Sequence, residues 1–171
     1  MNPTGERGRD RDAMGRARSA RPRDELGRPL PRGADGVAGV PDDIALSPAD
    51  SLAQAQRLLD GGRAFHAHEV LESAWKAAPE PERELWRGLA QLAVGLTHAQ
   101  RGNAVGAVRL LRRAADRVEG YANDAPYGLD MAGLVVWARA LATRVDTDGF
   151  GGLTPGDLVP RLRPESGRRH D

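Results

Sequence analysis

The sequence predicts an all-α domain of about five helices, packed as antiparallel hairpins in a small superhelical bundle, over residues 45–147. Three observations predict it. From Ser47 onward, apolar residues recur at helical rather than alternating spacing. Residues that stop and start helices fall between those periodic stretches. The hydrophobic fraction is aliphatic, aromatics being only 4 % of the chain, and 171 residues suffice for one core with tails.

Each element has its own signal. "SPADSLAQAQRLLDGG" places Ser47 as an N-cap with Pro48 at the first helical position, and a glycine pair ends that helix. A second helix runs from about Arg63 to Ala77 and stops at Pro79. The third runs from about Pro81 to Arg101, opened by acids that suit the positive end of its dipole. "RGN" makes the next corner, Gly102 as a left-handed cap and Asn103 as the following N-cap. The fourth helix reaches about Glu119, and the fifth spans Met131 to Val145 behind Asp130. Residues 148–171, rich in Pro and Gly, read as an extended surface segment.

Residues 1–44 are dominated by Arg, Gly, Pro and Asp, too poor in apolar groups to offset the entropy of ordering, and read as a disordered tail. Acids interleave with its arginines, and the net charge of the chain is only +1, so nucleic acid is disfavoured as a partner. Binding of nucleic acid or an acidic surface through this tail is the third functional reading. The absence of cysteine excludes disulfides and thiolate metal sites. No stretch reaches the length a membrane span requires, and no secretory h-region follows the first charges, which predicts a cytoplasmic protein. The sequence leaves homo-oligomerisation open.

The polar residues of "FHAHEVLESAW" carry the functional question. At 100° per residue Phe65, His68, Leu71, Glu72 and Trp75 share one sector, with Glu69 at its edge. Two aromatics in that sector predict that it points inward, taking His68 and Glu72 with it, while His66 falls elsewhere and is expected to be exposed. On the third helix Gly88 and Gly95, a heptad apart, suggest a backbone passing close by. Gln91 and His98 stack on the adjoining face and are expected to meet His68, Glu69 and Glu72 across an antiparallel pair.

Three chemistries fit such a cluster. The favoured one is a buried polar network that fixes helix register, in a structural or small-ligand-binding module. A divalent metal held by His68, Glu72 and His98 would instead serve a hydrolase-like enzyme, although "HEVLE" lacks the second histidine of the zinc-protease helix. The last is metal-free acid–base work by a histidine and a burial-shifted glutamate. No catalytic residue can be assigned from the sequence, and no P-loop, dinucleotide fingerprint, nucleophile elbow or helix-turn-helix signature accompanies the cluster.

The chain resembles the bacterial and plastid family called domain of unknown function 309. The pattern of an aromatic, then H-E-x-x-E-x-x-W, R, G-L-x-Q-L-A, H and R-G-N-x-x-G-A falls on Phe65, His68, Glu69, Glu72, Trp75, Arg83, Gly88, Gln91, His98, Arg101, Gly102, Asn103, Gly106 and Ala107. The resemblance covers roughly Leu52 to Val145. It departs at His66, where the family often has glutamate. It implies a small fold of helical hairpins and no activity.

Overall fold

A computed structural model gives the structure of the protein and describes residues 23–31, 36 and 46–165. Among the described residues five α-helices follow one another: α1 (Pro48–Asp60), α2 (Ala64–Ala77), α3 (Arg83–Gln100), α4 (Ala104–Val118) and α5 (Met131–Asp148). Among the described residues there is no strand, only an isolated bridge between Arg23 and Pro29. No helix there is long and apolar enough to cross a membrane.

The helix ends obey local chemistry. Ser47 Oγ accepts from the Asp50 amide at 3.1 Å, Asn103 Oδ1 from Gly106 at 3.0 Å, and Asp130 Oδ1 from Gly133 at 3.0 Å. Each satisfies one of the amides that a first helical turn leaves without a partner. Between α3 and α4, Gly102 takes φ +76°, a left-handed conformation that a side chain would resist.

Packing is sequential, with α1 on α2, α2 on α3, α3 on α4 and α4 on α5, so each inner helix serves two neighbours. Gly88 and Gly95 do mark a close approach, and the approaching element is α4. A Cβ at Gly95 would lie 3.2 Å from the Leu111 amide nitrogen, and one at Gly88 would overlap the Val118 side chain. Trp86 is the largest fully buried side chain, and Leu52, Leu71, Leu85, Leu89, Leu96 and Leu111 are sealed with it.

Two segments expected to lie outside the core are tied to it. After α5 the chain makes a 3₁₀ turn, Pro155–Leu158, and returns as a strap across α1. Gln56 pairs with that strap as a strand would, donating to the Pro160 carbonyl and accepting from the Leu162 amide, both at 2.9 Å. The Leu162 carbonyl accepts from Asp130 N at 2.9 Å, and its side chain is 1 % exposed. Composition marked this run as a surface segment, but one leucine, its amide bonded to the Gln56 side chain and its carbonyl to the Asp130 amide, anchors it.

The second segment lies within the expected tail. Residues 23–31 form a closed turn, and the rest of residues 1–44 except residue 36 fall outside the described residues. Asp24 Oδ1 accepts from the Leu26 and Arg28 amides at 2.9 and 2.8 Å, while Asp24 N donates to the Arg28 carbonyl and Gly27 N to the Asp24 carbonyl. A short acid closing a loop on its own backbone needs no hydrophobic support. This turn rests on α2 and α3.

Candidate functional site

Helix α2 is wedged between α1 and α3, so it buries a broad arc. Ala64, His66, Ala67, Val70 and Leu71 are buried, an arc of about 160° at 100° per residue. The inward face is therefore centred on small residues, and His66 is a correction: expected outside, it is 1 % exposed. Its ring meets Phe65 edge-on at 5.9 Å. Of the sector expected to point inward, Leu71 is buried, while Phe65, His68, Glu72 and Trp75 form a half-buried stripe along the edge of α2.

Opposite that stripe, α3 presents arginines. The Arg83 and Arg87 guanidiniums lie 5.9 and 5.8 Å from the Trp75 ring, and Arg101 lies 6.0 Å from Phe65. Arg87, Val94 and Arg101, the last of them the residue that caps α3, are seven residues apart and so lie on one side of that helix. The seam thus has an aromatic under arginine at each end and a histidine–carboxylate pair between. His68 Nε2 sits 3.5 Å from Glu72 Oε2, and Glu72 also lies 3.5 Å from Lys76. Glu69 is half-buried on the same helix.

The expected meeting of Gln91 and His98 with this stripe does not occur. Gln91 Oε1 accepts from Arg117 Nε at 3.0 Å, and His98 Nδ1 pairs with Asn103 Nδ2 at 3.0 Å, so both turn to the α4 side of α3. Gly106 permits this, because a Cβ there would come within 2.9 Å of His98 Nδ1. The two histidines proposed as ligands, His68 and His98, therefore serve different seams. Among the described residues no three His, Asp or Glu side chains converge in a way that could hold a metal. Trp86 Nε1, not one of the cluster residues, donates to Glu82 Oε1 at 3.2 Å, and the Tyr127 hydroxyl donates to the same oxygen at 2.7 Å.

The residues that sequence reasoning passed over are those of the docked turn. Gly27 is buried against Phe65, at φ +75°, and a Cβ there would overlap the Phe65 side chain. Arg101 grips the Leu26 carbonyl with Nε at 3.1 Å and Nη2 at 2.9 Å. The Arg23 guanidinium stands 4.8 Å from the Phe65 ring centroid and donates to the Gly27 carbonyl at 2.7 Å. Phe65 is thus bracketed by two arginines and covered by a glycine. "DELGRP" carried the signal, an Asx turn ending in glycine, but the surrounding composition outweighed it.

Burial lowers the pKa of all three described histidines. For His66 the nearby Arg63 adds to burial; for His68 burial outweighs the raising influence of Glu72, with Lys76 and Arg23 lowering it further; for His98, Arg101 and Arg109 act in the same direction as burial. His66 Nδ1 and His68 Nδ1 are buried with no hydrogen-bond partner among the described residues. Near neutrality His68 is therefore a neutral imidazole beside Glu72 rather than half of an ion pair. The unfolded chain takes up these protons near the ordinary value of about 6.5, the folded chain only at lower pH, so stability is full above that value and declines as pH falls below it. Urea midpoints at pH 7.5 and 5.5 check this. The midpoint at pH 5.5 is expected to be lower, and an equal or higher one contradicts the assignment.

Residues 52–110 match the family model of DUF309, a domain of unknown function. The DUF309 match spans α1 to α4 as far as Leu110, so it takes in the α2 stripe, Arg101 and the Gly102–Asn103 corner, and agrees with the resemblance read from the sequence. The chain is also similar to the uncharacterized protein YpuF of Bacillus subtilis (strain 168), 48 % identical over 48 residues, which are 28 % of this chain and 28 % of that one. It thus spans little more than a quarter of that relative's length. No solved structure matches. Neither the description of the DUF309 model nor the name of that relative states an activity.

Proposed function

We propose that this chain is a docking module, and that the α2–α3 seam is where it binds polypeptide. The observation that carries the reading is the bidentate hold of Arg101 on the Leu26 carbonyl, with Gly27 seated on Phe65. Two side chains, Phe65 of α2 and Arg101 at the C-terminal cap of α3, there recognise main chain, through a carbonyl and a bare Cα, rather than a small molecule or an ion. Recognition of that kind is typical of domains that hold short peptide segments. The half-exposed stripe continuing to Glu72 and Trp75 extends the contact beyond the turn. This reading makes the favoured structural or ligand-binding module specific: the ligand is a peptide, and the histidine–glutamate pair is part of its bed rather than a reaction centre.

The test uses the full chain carrying Gly27→Val, which removes the turn's fit without touching either helix, and a peptide of residues 22–32. Binding is expected with a Kd on the order of 100 µM, as suits a small interface. Amide shifts should cluster around Phe65 and Arg101, and Arg101→Ala added to the same chain should abolish them. Shifts absent, or scattered over the surface, would overturn the reading.

A further inference from the structure

Resting on that reading, we infer that the seat takes a partner presenting an Arg-Asp-x-x-Gly turn, and that the chain's own residues 23–27 mask the seat until such a partner displaces them. Each position in that pattern has a physical reason. The glycine is demanded twice: its φ is +75°, and a Cβ would overlap Phe65. The aspartate closes the loop by accepting two amides through one oxygen, which presents the Leu26 carbonyl outward to Arg101. The arginine lies over the open face of Phe65 and reaches back to the Gly27 carbonyl, so it joins the turn to its bed. The two residues between make no sequence-specific demand: Glu25 is exposed, and Leu26 is held through its carbonyl. A cation over an aromatic face is worth more once shielded from water, and here a buried glycine and a second arginine provide the shield.

Masking follows from the tether. Fifteen residues, 32–46, separate the turn from Ser47, short enough to hold the turn near the seat at an effective concentration on the order of 1 mM. Against a free peptide of roughly 100 µM affinity, such a competitor weakens apparent binding by about tenfold. The full chain is thus a closed form, and a partner with the same turn and further contacts along Glu72 and Trp75 opens it.

Titration by fluorescence anisotropy tests both halves. The labelled peptide of residues 22–32 is added to wild-type chain and to the Gly27→Val chain, and peptides carrying Arg23→Ala, Asp24→Ala or Gly27→Val are compared on the latter. The expected result is binding about tenfold tighter to the Gly27→Val chain than to wild type, with each altered peptide at least about tenfold weaker than the parent. Equal affinity for the two chains overturns the masking while leaving the docking reading intact. Equal affinity for parent and altered peptides overturns the turn specificity. No binding of any peptide to the Gly27→Val chain removes the docking reading itself. A wild-type dimer by sedimentation equilibrium that Gly27→Val dissolves would place the turn on a second copy and overturn masking within one chain.

Discussion

Trp86→Ala is expected to cost about 3–5 kcal/mol, the range for truncating a large buried aromatic, and to lower the melting temperature by more than about 10 °C for a domain of this size. Trp86 is 1 % exposed, and its ring centroid lies 6.0 Å from that of Tyr127. Its Nε1 and the Tyr127 hydroxyl both donate to Glu82 Oε1. Removing the indole therefore opens a cavity at the start of α3 and takes away the ring that packs against Tyr127. Trp75→Ala should cost clearly less, because Trp75 is only half-buried at the edge of the core, with the Arg83 and Arg87 guanidiniums over its ring. Thermal melts of the two variants decide this, and equal losses would contradict the assignment of Trp75 to the seam.

Leu162→Ala is the second large effect, expected at about 2–5 kcal/mol for a fully buried leucine. The loss combines the cavity with detachment of the strap, since the Leu162 backbone bonds Gln56 on one side and Asp130 on the other. Chemical denaturation measures it, and amide exchange at Leu162 and Asp130 shows whether the strap leaves. A loss below about 1 kcal/mol would mean that the strap adds little to the core.

How much of this could be read from the sequence depends on which physical signal each element carries. The helix ends were legible because caps are local: Ser47 with Pro48, Gly102 with Asn103, and Asp130 each act within one turn of chain. The approach of a backbone to Gly95 was legible from the glycine itself, though its identity as α4 was not, and at Gly88 the close neighbour is the Val118 side chain. The inward face of α2 was misjudged because reasoning from large side chains favoured Phe65 and Trp75. A helix packed between two others brings its alanines inward and leaves bulky groups at its edge. That one rotation explains both the burial of His66 and the half-exposure of His68 and Glu72.

Other features lay beyond local pattern. Gln91 and His98 could have faced either neighbour of α3, and only the position of α4 selects Arg117 and Asn103 as their partners. The Leu162 strap and the docked turn are contacts across 106 and 75 residues, from Gln56 and Arg101 respectively, in segments whose composition argues against order. A single leucine or glycine that fits a prepared surface leaves no periodic trace.

The most direct measurement of the central claim is nuclear Overhauser contact between Gly27 and Phe65 in the full-length wild-type chain. With Gly27 buried against the Phe65 side chain, its α-protons should show cross-peaks to the ring and a strong ring-current shift, both lost in Arg101→Ala. Gly27 resonances at random-coil positions, with no cross-peak to Phe65, would contradict the seat on which the account rests.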